Sequence, residues 1–302
     1  QTIYPYLFLG GKPVKYSRER IDTNDGDFID FDWLDGPDDS PTVIIFHGLE
    51  GSSQSHYVTA MMRYLKNIEW RAVAPNFRGC SGSPNLLARA YHSGDFEDIN
   101  FIIQKICQRR NGLVFAAGVS LGGNALLKWL SLNDTFKTKL IAASAGISVP
   151  FNLTITGDLL NKGTNKVYSW HFLKTLKRKC ISKTELLASK LNMQKICSAK
   201  SLREFDDNYT APIHGFIDTQ DYWEKASTVN DLNKINDPLL IIHSENDPFL
   251  NKRYLPKKNN LPKNISCYYT KAGGHVGFTI GKFPGSLNWL PKTIISYFRK
   301  FL

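Results

Sequence analysis

Cysteine is scarce in this 302-residue chain: five residues, odd in number and widely spread (Cys80, Cys107, Cys180, Cys197, Cys267), with no CxxC pair. That pattern argues against a disulfide framework and a zinc knuckle, and it predicts a reducing, cytoplasmic compartment. No HExxH, no histidine pair at i, i+4 and no GK[ST] loop occurs, and GVSLGG (118–123) misses the GxGxxG spacing. Zinc-dependent hydrolysis, nucleotide cleavage and dinucleotide binding are therefore without support, and no metal or cofactor is expected. The longest run without charge, Leu140 to Gly157, spans 18 residues but contains Ser144, Ser148, Pro150, Asn152 and Thr154. It suits a strand leaving for a loop better than a membrane helix. No period of roughly 20 to 50 residues repeats, which excludes solenoids. The chain opens on Gln1 rather than methionine, so the lack of a signal peptide carries little weight, and residues ahead of Gln1 are expected.

What is present is an ordinary globular composition, 42% hydrophobic and 22% charged, with a formal charge of +11. The charge is unevenly placed. His171 to Arg203 holds nine Lys or Arg against one acid, Glu185, whereas Asp22 to Asp39 holds eight aspartates and no base. A basic block of this kind is commonly a solvated helix face and also suits an anionic membrane surface; no nucleic-acid partner is expected.

KPVKYSRERI and DFIDFDWL flank the turn signal DTNDG and predict an antiparallel hairpin. The pattern then changes to short apolar runs: TVIIFHG, RAVAPNFRG, GLVFAAG, KLIAASAG, PLLIIHS and NISCYYT. Such runs suit strands buried on both faces of a parallel sheet. Helical segments fall between most of them, at Ser55–Leu65, Asp95–Cys107 and Leu121–Leu132, and a last helix carries Leu290, Ile294, Phe298 and Phe301 on one stripe. The prediction is an α/β protein with a mostly parallel central sheet and helices on both faces. Its core would span residues 1–150 and 237–302, with an inserted helical lid over 151–236 where the alternation breaks. Ligands then belong beyond the carboxyl ends of the strands.

GVSLGG sits at such an end, after an apolar strand and before a helix. A G-x-S-x-G sequence there builds a strained turn that lifts the serine oxygen clear of the backbone, and the glycines remove side chains that would collide. A serine hydroxyl needs a base and an orienting acid, in chain order Ser, Asp or Glu, His for this strand–turn–helix context. Asp247 lies just past PLLIIHS, 127 residues beyond Ser120, and is preferred to Glu245, nearer the strand, and to Asp237, ahead of it. His275 follows the next strand 28 residues later, beside Gly273 and Gly274; His243 lies within a strand and reads as core. FHGLEGS follows the first parallel strand, so the backbone amides of Leu49 and Leu121 are the candidate oxyanion donors. Arg78 reads as a holder of loops and Cys80 lacks a base. Glu204, Asp206 and Asp207 read as capping and pairing groups rather than a metal site. Trp170, Phe172, Phe216 and Trp223 are candidates for an apolar acyl pocket in the lid, or for the lid's own core.

HGLEGS, FRGCSG, YHSGDFEDI, GVSLGGNALLKWL, LREFDDNYTAPIHGF and HSENDPFL together resemble the YheT-like branch of the α/β-hydrolase superfamily, related to embryogenesis-associated and abhydrolase lipase-like proteins. The likeness runs from QTIYP to the last helix. It implies a serine hydrolase, of carboxylesterase or acylglycerol lipase type, with Ser120, Asp247 and His275 as its triad. The same triad serves thioesters and amides, and a lipid or small-ligand binder without catalysis is the reading from a different class.

Overall fold

A computed structural model of the chain describes residues 9, 14–109, 112–132 and 140–302. The opening QTIYP, Lys12 and Pro13 of the expected hairpin and Lys139 of KLIAASAG lie outside the described residues. Among those described, eight strands form one sheet: β1 (Ser17–Asp22), β2 (Phe28–Leu34), β3 (Thr42–Phe46), β4 (Arg71–Asn76), β5 (Val114–Val119), β6 (Ala143–Ile147), β7 (Leu239–Ser244) and β8 (Ile265–Thr270). Their spatial order is β1-β2-β4-β3-β5-β6-β7-β8, parallel from β4 onward, with β1 and β2 antiparallel at one edge.

The alternation of side chains along each strand splits the core into two layers. Ile44 and Phe46 of β3 pack on one face with Ile99, Ile102 and Ile103 of α2 (Phe96–Cys107) and Leu126 and Trp129 of α3 (Leu121–Ser131). Val43 and Ile45 turn to the other face, against Met62 and Leu65 of α1 (His56–Asn67) and Ile294 and Phe298 of the C-terminal helix Trp289–Phe298. Helices thus cover both faces, as the apolar runs imply. One expectation is corrected: NISCYYT is not buried on both sides, because among the described residues β8 pairs only with β7, and its residues after Ile265 are partly or fully exposed.

Five of the eight N-terminal aspartates, Asp25, Asp27, Asp30, Asp32 and Asp38, pair with arginines. Arg18 and Arg20 on β1 make bidentate pairs with the cross-strand partners Asp32 and Asp30 of β2. Arg78, 2% exposed, reaches Asp25, Asp27 and Asp98 at 3.1, 3.0 and 2.7 Å. It therefore ties the β1–β2 turn to the first turn of α2, the loop-holding role expected of it. Removing such a cation would strand buried carboxylates, which is costly in a low-dielectric interior.

Between β6 and β7 the chain is helical: α4 (Leu153–Leu160), α5 (Lys166–Ile181), short turns, a stretch over Leu202–Phe205, Asp206–Thr210 and Ala211–Ile213 with a π turn in its middle, then α6 (Thr219–Ala226). Counting the C-terminal helix as α7, the helices of this insert, termed the lid only because its residues line the cavity over Ser120, are α4 to α6. Leu173, Cys180, Leu187, Ile196 and Phe205 form a small core of their own, roofed over Ala88.

Five histidines, His47, His56, His92, His214 and His243, are held neutral by burial; His47, His56 and His243 are pushed down to about 4 and His214 to about 3. Unfolded, each titrates near 6.5, so on acidification from there the unfolded chain takes protons that the folded chain refuses. Asp95 and Asp206 work the other way: burial, reinforced by Asp98 for the first and Asp207 for the second, pushes them up to about 7 and about 6. Among the described residues five such groups stand against two, so the melting temperature should fall as pH drops from about 7 to about 5. A melting temperature unchanged or rising over that window, measured by calorimetry, would contradict the buried neutral rings.

Candidate active site

The turn between β5 and α3 is built by close approach. Ser120 adopts φ 53° and ψ −121°, a conformation that costs a non-glycine residue free energy and is tolerated where the surroundings enforce it. A Cβ at Gly118 would lie 2.6 Å from the Gly123 Cα, one at Gly122 would strike the His47 carbonyl, and one at Gly123 would lie 2.8 Å from the Gly118 carbonyl. Those glycines let α3 start directly against β3 and β5, so the serine oxygen stands at the strand ends. The Ser120 N–H is tied to the Ile147 carbonyl at 2.8 Å.

The loops after β7 and β8 bring the other two candidate residues to the same rim. His275 Nε2 lies 2.9 Å from Ser120 Oγ, and His275 Nδ1 lies 2.7 Å from Asp247 Oδ2. An ionised carboxylate can only accept, so Nδ1 carries the proton and Nε2 faces the serine as an acceptor. The second oxygen of Asp247 accepts from the Phe249 N–H at 2.8 Å, which locks the carboxylate plane. The His275 loop is held by Asn246, whose Oδ1 accepts from the N–H groups of Gly273 and Gly274, and by Ser148, whose hydroxyl donates to the His275 carbonyl. Gly274 sits at φ 61°, so the turn that swings the ring over Ser120 uses its freedom. Glu245 pairs with Lys252 instead, and His243 is fully buried in β7.

The loop after β3 carries Leu49. Its neighbours' amides are occupied: the Gly48 N–H donates to the Tyr57 hydroxyl at 2.9 Å and the Glu50 N–H to the Tyr91 hydroxyl at 2.7 Å. Among the described residues neither the Leu49 nor the Leu121 N–H has a hydrogen-bond partner, and both residues line the cavity above Ser120. The Leu121 amide is free for the general reason that the first N–H groups of a helix have no intrahelical acceptor. His47 braces the loop from beneath. Its Nε2 accepts from the Phe77 N–H at 3.1 Å, so Nδ1 donates to the Gly48 carbonyl at 2.8 Å.

Three contributors were not evident from the sequence. Tyr57 and Tyr91 hold the Leu49 loop, and Lys179 of α5 reaches Glu50 Oε1 at 2.7 Å, where the Tyr91 hydroxyl also donates. Glu50, at φ 53°, thereby links the lid to the loop. Lys183 also turns inward, to Asn85 Oδ1 at 2.8 Å, so the basic stretch is not wholly a solvated face. No spacing rule foretells these contacts, because each joins segments far apart in the chain.

Above Ser120 lies a cavity of about 530 Å³. Leu153, Leu160, Phe172, Leu176, Trp223 and Phe249 contribute to its apolar wall, and Trp170 also lines it. Phe216 does not; it packs against His92 and Tyr222 and lines a separate depression, which corrects the expectation for that residue. Glu204, Asp206 and Asp207 serve as acceptors within the lid, for Ser201, Thr210 with Trp223, and Thr219.

The model of the alpha/beta hydrolase fold matches residues 41–281. The chain belongs to the α/β-hydrolase family. Within it, YheT of Escherichia coli (strain K12), which carries a provisional esterase name, is 36% identical over all of this chain and 90% of its own length. Phospholipase ABHD3 of Mus musculus is 30% identical over 97% of this chain and 73% of its own, and EMB8 of Picea glauca 27% over 98% and 69%. This α/β-hydrolase thus falls in the YheT-like branch. Among solved structures, the Pyrococcus furiosus esterase Pf2001 superposes with a TM-score of 0.60 at 17% identity, covering 95% of this chain and 92% of that one. That likeness speaks to the fold. The relatives support a hydrolase of ester substrates.

Tyr91→Phe should expose how far the Leu49 loop depends on its tyrosine. It leaves the part-buried Glu50 N–H without its acceptor and should lower unfolding stability by about 1 kcal/mol, with ester turnover reduced in parallel. Denaturation curves and turnover identical to the parent protein would show that the loop holds itself.

Proposed function

We propose that this hydrolase cleaves carboxylic esters of apolar acyl groups through Ser120, His275 and Asp247, by way of an acyl-enzyme. The observation that carries this is the continuous array from Ser120 Oγ through the His275 ring to Asp247, at 2.9 and 2.7 Å. His275 takes the Ser120 proton as Oγ attacks the ester carbonyl carbon, and Asp247 stabilises the imidazolium. The N–H groups of Leu49 and Leu121 stabilise the negative oxygen of the tetrahedral intermediate. On collapse, the same imidazolium protonates the departing alkoxide, leaving the acyl group on Ser120. His275 then takes a proton from water as its oxygen attacks the acyl carbon; when the acyl–Oγ bond breaks the imidazolium gives that proton to Oγ, releasing the acid and restoring Ser120 and the neutral ring.

The apolar cavity wall favours an acyl chain in the lid, in keeping with the phospholipase name of ABHD3. Thioesters and amides share the chemistry up to the leaving group, and the cavity does not select among them by itself. The reading from a different class, a binder without catalysis, has the unobstructed serine against it.

A fluorophosphonate should label wild type at Ser120, and Ser120→Ala should lose both labelling and turnover of a chromogenic short-chain ester. Turnover persisting in Ser120→Ala would refute the assignment of the nucleophile. Asp247→Asn should keep the fold and substrate affinity while kcat falls by roughly 10⁴, since the ring loses its tautomer and its counter-charge. A loss of less than about tenfold would remove Asp247 from the mechanism.

A further inference from the structure

Helix α5 has an outer face that the proposed chemistry does not use. Its sequence, KVYSWHFLKTLKRKCI, holds five Lys or Arg and no acid. Ser169, Leu173 and Cys180 face inward and are buried. Val167, Trp170, Lys174, Arg178 and Ile181 recur at intervals of three or four and so share the opposite face. There Val167 is 64%, Trp170 62% and Ile181 55% exposed. The Lys174 ammonium lies 5.2 Å from the centre of the Trp170 ring. Among the described residues no acid pairs with Lys166, Lys174 or Arg178, whereas Lys179, on the inward side, is neutralised by Glu50.

Two features make this face more than a solvated helix. Large apolar side chains flank two unpaired cations along it, the pattern of helices that lie in a lipid–water interface with tryptophan at headgroup depth. The face is also continuous with the cavity over Ser120, since Val167, Trp170 and His171 line both. A nucleic acid would use the cations and leave Val167 and Ile181 in water; an anionic bilayer engages both sets. No helix among the described residues is long and apolar enough to cross a membrane, so contact through α5 would be peripheral.

We propose that the outer face of α5 docks on an anionic phospholipid surface and opens the acyl cavity directly toward the bilayer. The delivery of substrate rests on the ester-hydrolase reading, but docking itself does not. Of the wider basic stretch 171–203, the proposal assigns the membrane role to Lys174 and Arg178, joined by Lys166 just ahead of it.

The test is cosedimentation of the whole chain with phosphatidylcholine vesicles, with and without phosphatidylglycerol. Wild type and Ser120→Ala should partition equally onto the phosphatidylglycerol vesicles, and added salt should weaken both. Lys174→Glu/Arg178→Glu should cut partitioning by about tenfold or more, and Ile181→Ser should reduce it as well. Turnover of a water-soluble short-chain ester by these variants should match wild type, which also reports that they fold. Equal partitioning with and without phosphatidylglycerol, absence of partitioning, or indifference to the charge reversal would overturn the proposal. So would retention of duplex DNA that matches vesicle binding and ignores Ile181→Ser. Because Ser120→Ala is read by sedimentation alone, failure of docking and failure of hydrolysis are separate results.

Discussion

The strained turn at Ser120 is the constraint on which the rest of the site depends. A residue with a side chain is held at φ 53° because three glycines let strand, turn and helix meet at distances that no Cβ would permit. The strain persists because the surroundings over-determine it. The Ile147 carbonyl fixes the Ser120 amide, and the first turn of α3 abuts the end of β3. With the backbone so placed, the serine oxygen faces the one sheet edge where the loops after β3, β7 and β8 also emerge.

That convergence is a property of parallel strands, whose carboxyl ends lie on one side. Each loop is then tuned by a small number of hydrogen bonds. Asn246 and Ser148 set the His275 turn, the Phe249 amide sets the Asp247 carboxylate, and two tyrosine hydroxyls with His47 set the Leu49 loop. The outcome is an arrangement in which these loops are each held by hydrogen bonds, while among the described residues the two amides proposed as oxyanion donors have no partner. Preorganisation of this kind stabilises a charged transition state without reorganisation at the moment of reaction.

The lid contributes through both of its surfaces. Its inner side supplies an apolar wall and one charged strut, Lys179 to Glu50, so the Leu49 loop is supported from above as well as below. Its outer side keeps exposed cations next to exposed apolar groups. The opposite end of the protein solves its own charge problem differently: the aspartates around β2 are buried against arginines, which anchors the antiparallel edge to α2.

Much of this was legible in the chain itself. The apolar runs, the turn residues around Gly26 and the helical stripe of Leu290, Ile294 and Phe298 specify local structure, because period and turn chemistry act over a few residues. The G-x-S-x-G turn and the order of Ser120, Asp247 and His275 were readable for the same reason: each is a short segment with its own backbone demand. Beyond reach were the exposed edge of β8, the inward turn of Lys179 and Lys183, the separation of Phe216 from the cavity and the grip of Tyr57 and Tyr91. Those depend on which faces meet after the chain has packed, and a side chain's partner across 41 or 129 residues leaves no mark in local spacing. Sequence alone determined the elements, their order and the chemical types at the strand ends; tertiary structure alone decided their distances and partners, since hydrogen bonds and ion pairs act within a few ångströms that only packing can set.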